Sequence, residues 1–313
     1  MAPASTPFPP WAWLAFAAVA LVLLFADLFG HRKGRADTRR SAILWSAVWV
    51  GAGLPFYGFI WIAFGYAPAQ DYLGAYLIEK SLSLDNIFVF LVIFESLQIP
   101  QRDQRTVLYL GILGAVVFRA VFIFLGAAAL ERWHFAVYLF AAILLWAAWR
   151  VFRENPAEMK ENKLVAFLSR HVPVTTQGYG RRFFAKENGK RVATPLLVAI
   201  VALELTDITF AVDSVPAALA ITTNRFLVYT SNIFAILGLR ALYVVLATTL
   251  CELEYLHYGL AVVLAFAAVK LAISSWVEIP ALLSVAVIVV VIGLSALASV
   301  RRRNRRRYEQ GQS

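Results

Sequence analysis

The chain has 313 residues, of which 61% are hydrophobic and 15% charged, with a mean hydropathy of +0.70. A soluble domain carries about 25% charged residues, so a water-soluble globular fold is excluded, and the absence of strand alternation argues against a β-barrel. The formal net charge of +10 does not mark a nucleic-acid surface, because the basic residues cluster in alternate loops between apolar runs.

Residues 1–10 contain no Lys or Arg. The first apolar run therefore does not read as a cleavable signal peptide and is expected to stay in the bilayer with its N-terminus outside. Apolar runs long enough to cross a bilayer as helices follow one another. Nine spans are predicted, over 11–30, 41–65, 73–98, 106–130, 134–152, 194–220, 226–250, 256–275 and 280–300. The fold class is an all-α polytopic transmembrane bundle. Residues 154–191 read as a hydrophilic loop or small amphipathic segment, and 301–313 as a polar, disordered tail.

Charge sets the orientation. With the N-terminus outside, the inner loops 31–40, 99–105, 150–192, 251–255 and 301–313 hold 23 of the 29 Lys and Arg, and the outer segments hold only Arg132 and Arg225. This asymmetry places the C-terminus in the cytoplasm. The remaining four, Lys80, Arg119, Arg240 and Lys270, fall inside spans.

The chain repeats itself. Glu79 to Asn86 resembles Asp207 to Ser214 in having an acid, five residues, an acid and a small polar residue. Phe118-Arg119-Ala120 resembles Leu239-Arg240-Ala241, and Ala147-Ala148-Trp149-Arg150 resembles Ala267-Ala268-Val269-Lys270, in the same order. The two three-helix units have opposite topology, a recurrent design of secondary transporters with the site between the repeats. Five segments follow: 1–72 with two peripheral spans, 73–152 as the first repeat, 153–193 as a basic cytoplasmic loop, 194–275 as the second repeat, and 276–313 as the last span and basic tail.

Glu79, Asp85, Glu204, Asp207 and Asp213 lie within two spans. Each carboxylate at bilayer depth costs at least about 2.5–3.5 kcal/mol on insertion scales, a cost balanced by function or by pairing. They either form a cation path or neutralise Lys80, Arg119 and Arg240. Glu79 and Asn86 share a helical face, as do Asp207 and Ser214. Asp85 and Asp213 lie about 120° off those faces, so one common site requires local unwinding or a position between several helices. Pro216 leaves the carbonyl of Val212 without a helical partner, which marks either a break or a packing kink, and symmetry extends the break to the third span. Arg119 and Arg240 are counter-ions or latches to carbonyls. Asn232 is an extra oxygen ligand or a helix–helix hydrogen bond, and Asp27 is interfacial or part of the pathway.

The candidate ligands are hard oxygens, which suit magnesium, calcium and manganese. The four His lie in loops or at helix ends, and Cys251 is alone, which disfavours zinc and copper sites and excludes an internal disulfide.

The segments Glu79-Lys-Ser-Leu-Ser-Leu-Asp85-Asn86, Glu204-Leu-Thr-Asp207 through Asp213-Ser214-Val-Pro216, and Thr230-Ser-Asn232 through Arg240-Ala resemble the signatures of the TerC family, in its Alx-like branch, over almost the whole chain. The resemblance implies a bacterial inner-membrane protein of the lysine-exporter-like superfamily. It implies manganese efflux or homeostasis, with a link to tellurium resistance, and Glu79, Asp85, Asn86, Glu204, Asp207 and Asp213 lining the ion path. Manganese is then cargo, and no organic cofactor or enzymatic step is expected. The expected partners are the lipid bilayer, the metal ion and a membrane protein or second copy, but no nucleic acid. The competing readings are a membrane partner in metal stress or manganese delivery to secreted enzymes, and an intramembrane aspartyl protease, which leaves Arg119, Arg240 and the extra acids unexplained.

Overall fold

The computed structural model describes residues 8–30, 48, 51–153, 175, 182–187, 190–237, 239, 243, 256–274, 276–277 and 279–310. Among them, nine helices and one hairpin form. The first three helices are α1 (Pro10–Gly30), α2 (Gly53–Phe64) and α3 (Tyr66–Ser96). They are followed by α4 (Gln101–Arg132), α5 (His134–Arg153) and the strands β1 (Phe184–Glu187) and β2 (Lys190–Ala193). The chain continues through α6 (Pro195–Leu219), α7 (Arg225–Ile236), α8 (Leu256–Ile273) and α9 (Ala281–Gln310).

Among the described residues, four stretches are long and apolar enough to cross a membrane by length and composition: Asp103–Arg132, Phe135–Arg153, Pro195–Leu219 and Leu282–Arg302. Pro10–Ala26, Gly53–Phe64 and Tyr258–Ile273 are shorter apolar helices. Helix α3 has the length but carries Asp71, Glu79, Lys80, Asp85 and Glu95. It is shielded by protein, with Tyr72, Ala75, Ile78 and Ile87 fully buried, as charge at bilayer depth requires.

Short connections set the helix order. Gly65 adopts φ +95° and its N–H closes on Trp61 O, a left-handed residue that ends α2 and reverses the chain into α3. Pro100 precedes α4, and Pro195 opens α6, where a missing N–H costs nothing. Thr194 Oγ1 donates to the carbonyls of Arg182 and Phe183, which fastens the antiparallel hairpin to the start of α6. The Asn224 side chain accepts from Phe226 N and Leu227 N and caps α7.

Glycines on α4 allow close packing against α6. Gly111 faces Leu203, Gly114 faces Glu204 and Gly126 faces Leu219, so these two helices run parallel. Gly74, early in α3, meets Ile221 just past the end of α6, so α3 and α6 run antiparallel. Phe152 at the end of α5 stacks edge-on with Tyr258 at the start of α8, 5.5 Å between centroids. These directions are those of two inverted three-helix units, α3–α5 and α6–α8. Apolar burial does not drive helix association in lipid, so close packing and polar contacts carry the bundle. Phe16, Phe56, Phe226 and Phe234 interlock α1, α2 and α7.

The expected helix breaks fall elsewhere. Helix α3 is continuous, and α6 runs through Pro216 to Leu219. Pro216 sits in the last turn, where its unmade bond is tolerated. The break lies in α7, predicted over 226–250 as one span: the helix stops at Ile236, and Leu237 turns to φ −57°, ψ 126°. Lys80 Nζ donates to Ala235 O at 3.0 Å and Leu237 O at 3.4 Å, so an ammonium from α3 satisfies the carbonyls the break exposes. The tail also differs from expectation, because α9 continues as helix to Gln310. Helix α2 is the described part of the predicted 41–65 span. Most of 154–191 and Cys251 lie outside the described residues.

Lys80→Met should lower the stability of the detergent-solubilised protein by about 1–3 kcal/mol, the usual cost of stranding buried acceptors. Thermal unfolding reads this, and an unchanged melting temperature would show that the α7 carbonyls do not need Lys80.

Candidate ion site

Charged side chains meet where α3, α4 and α6 pack at mid-length. Arg119 on α4 is 1% exposed. Its Nη1 donates to Glu79 Oε2 at 2.7 Å. Its Nη2 donates to Asp207 Oδ1 at 3.0 Å, and its Nε to Asp207 Oδ2 at 3.2 Å. The planar guanidinium fork makes this two-sided grip possible, which an ammonium could not reproduce. The equivalent acids of the two repeats, Glu79 and Asp207, are thereby joined through a single cation.

Glu204 stands one turn before Asp207 and packs its carboxylate against the open face of Gly114, within electrostatic range of Asp207. Among the described residues, no basic side chain pairs with it, and its Oε2 has no hydrogen-bond partner. Among the described residues, the three carboxyl groups of Glu79, Asp207 and Glu204 gather around the single guanidinium of Arg119.

Asp213 faces a different neighbour. Its Oδ2 accepts from Arg150 Nη2 on α5 at 2.6 Å. The unwinding of α6 expected from the offset between Asp207 and Asp213 is therefore unnecessary. On a continuous helix, Asp207 points to α4 and Asp213 to α5. Arg150, counted as a loop residue from the sequence, lies in the last turn of α5.

Several buried polar atoms among these helices have no hydrogen-bond partner: Glu79 Oε1, Glu204 Oε2, Ser83 Oγ, Ser214 Oγ, and both amide atoms of Asn232. Ser83 and Ser214 are each 1% exposed and Asn232 is fully buried. An unsatisfied buried polar group costs about 1–3 kcal/mol, so this set has the chemistry of hard oxygen donors awaiting a polar partner. Asn232 makes no helix–helix hydrogen bond, which was one of its two readings. Asn86 is buried at 2%.

Among the described residues, no three His, Cys, Asp or Glu side chains gather as a metal-binding group, since Arg119 stands between the acids. The side chains of Asp85 and Asp27, and all of Arg240, lie outside the described residues. Sequence reading missed Arg150, Ser83 and Gly114. Arg150 was signalled by the match of its tetrad to the one ending in Lys270, and Ser83 by its position one turn after Glu79.

Fold and site together define a multi-pass integral membrane protein with an acidic centre inside its helical bundle. The model of the integral membrane protein TerC family matches residues 65–307, and the chain belongs to that family. It is 43% identical over 294 residues to "Uncharacterized membrane protein STKORF319" of Myxococcus xanthus, covering 93% of this chain and 92% of that one. It is 39% identical over 291 residues to "Putative membrane-bound redox modulator Alx" of Escherichia coli K12, covering 89% and 91%. A protein of the same name from Photorhabdus laumondii is 38% identical over 283 residues, covering 87% and 88%. No solved structure matches.

Arg119→Gln should destabilise the protein by about 3–5 kcal/mol, because two buried carboxylates lose their counter-charge. The double variant Arg119→Gln, Asp207→Asn should recover part of that loss. Melting of the purified variants checks both, and equal stability of Arg119→Gln and wild type would remove the arginine from the centre of the fold.

Proposed function

We propose that this chain transports a divalent metal ion, most specifically manganese, out of the bacterial cell across the inner membrane. The chain lies with its N-terminus outside and its C-terminus in the cytoplasm. The observation that carries the reading is the acidic centre, where Glu79, Asp207 and Glu204 outnumber Arg119 beside orphaned oxygens of Ser83 and Ser214. Oxygen donors of this kind replace the hydration shell of a hard cation, and their position between oppositely directed helices is where inverted-repeat carriers hold their cargo. The TerC resemblance favours manganese in this reading, since oxygen ligands alone do not separate it from calcium. Glu79, Asp85, Asn86, Glu204, Asp207 and Asp213 line the path, with Ser214, Asn232, Arg119, Arg240 and Asp27 as accessories. Exchange against protons uses the same carboxylates, which carry either species. No bond is made or broken, so the protein acts as a carrier and not as an enzyme.

A second reading is a membrane partner in metal, tellurium or redox stress, or in manganese delivery to secreted enzymes. It is favoured by the relatives' naming as redox modulators. This chain has one cysteine and hence no internal dithiol for redox exchange, so a redox effect would act through the metal or through a partner protein.

Inside-out vesicles, whose uptake corresponds to efflux from the cell, test transport. Wild type should take up manganese, and Asp85→Ala, Asp213→Ala and Glu204→Gln should each reduce initial uptake at least about tenfold, about 1.4 kcal/mol of transition-state stabilisation. Uptake equal to that of vesicles without the protein would sink the transport reading. Co-purification of a stress or translocation partner in that case would favour the second.

A further inference from the structure

Two arginines among the described residues, Arg119 and Arg150, are held very differently. Arg119 has a side chain 2% exposed and grips two acids. Arg150 has a side chain 24% exposed, and its ion pair is with Asp213. Its guanidinium also lies 4.9 Å from the ring centroid of Trp146, itself 56% exposed, and it belongs to the last turn of α5, whose carbonyl end attracts a cation. Release of Arg119 would strand Glu79 and Asp207 together. Release of Arg150 leaves it on an aromatic face at the negative end of its own helix, two interactions that favour a cation.

The pair adds a polar contact to an apolar one. Ala141, Leu144 and Ala147 of α5 share one buried cluster with Ala217 of α6 and with Leu260, Val263 and Ala267 of α8, and Asp207 of α6 is tied to α4. A guanidinium 2.6 Å from Asp213 Oδ2 occupies the position from which a metal ion would coordinate that oxygen. We propose that Arg150 is a tethered cation that the divalent ion must displace from Asp213, so that Arg150 sets the affinity of the transport site. The proposal rests on the transport reading and adds to it a residue that competes with the cargo.

Arg150 is thus a positioning residue whose removal strengthens cargo binding while slowing its release. Purified full-length protein is titrated with manganese chloride by calorimetry and then reconstituted in liposomes for KM and kcat. Arg150→Gln should bind manganese about tenfold more tightly, the gain expected when a self-bound competitor holding about nine-tenths of the sites is removed. Its KM and kcat should both fall. Arg150→Lys, which keeps the charge but lacks the fork, should fall between the two. In an Asp213→Asn background, Arg150→Gln should no longer tighten manganese binding.

Unchanged or weaker manganese binding by Arg150→Gln overturns the tether while leaving transport by the wild type standing. Should Arg150→Gln fail to fold, Arg150→Lys decides: tighter binding supports displacement, and unchanged or weaker binding overturns it. Wild type that neither binds nor moves manganese overturns the transport reading and the tether together.

Discussion

The bond system on which the centre of this bundle depends is the Arg119 guanidinium shared by Glu79 and Asp207. Without it, α3 and α6 would bring two carboxylates together at bilayer depth, where like charges repel strongly in a low dielectric. With it, the antiparallel helices are joined through α4, and the glycine face of α4 follows as a requirement. Arg119 reaches both acids only because Gly111, Gly114 and Gly126 let α4 approach α6 closely. The open face of Gly114 is also where Glu204 lies, so one small residue serves both the packing of the helices and the placement of a third acid.

Among the described residues, the intramembrane lysines are each matched to a specific need. Lys80 satisfies the carbonyls at the end of α7. Lys270 donates to Ile221 O at 3.3 Å and to Ser284 Oγ at 3.1 Å, so it serves the chain end of α6 and ties it to α9. An ammonium suits these places because it is a compact donor to several carbonyls, whereas the carboxylate contacts go to arginines, whose forks fit them. The division of labour between Lys and Arg follows from donor geometry.

Membrane class, helix order and the location of the acids were legible in the sequence, because hydropathy and charge alone encode them. The antiparallel meeting of Glu79 and Asp207 followed from their place in the repeat. Their common partner could be placed on α4 but not distinguished from a latch to carbonyls, since that depends on side-chain reach. Arg150 was misplaced because a cation closing an apolar run looks like an interfacial anchor. Asp213 recruits it inward by a side chain extending over Trp146. A break was expected in α6 at Pro216, the residue with the strongest intrinsic effect, or else a packing kink there, and 226–250 was expected to run as one span. The break occurs instead at Leu237, just before Gly238 in the sequence, where a capping lysine from another helix makes the open carbonyls tolerable. Propensity locates where a helix can fail; the tertiary partner decides where it does.

Ion pairs buried this deeply are poor devices for stability. Replacing a buried pair with well-packed apolar residues is often neutral or stabilising, and in lipid such replacements also remove the insertion cost. A bundle selected only to hold together would therefore keep neither Arg119 and its acids nor Arg150 and Asp213. Pairing also fails to account for the full set. Glu204 adds a carboxyl group beside the Glu79–Arg119–Asp207 triad, and Ser83, Ser214 and Asn232 present unsatisfied polar atoms that apolar residues of similar size would have spared. Surplus carboxyl groups and surplus oxygen donors on adjoining helices are what the proposed cation path accounts for and pairing alone does not.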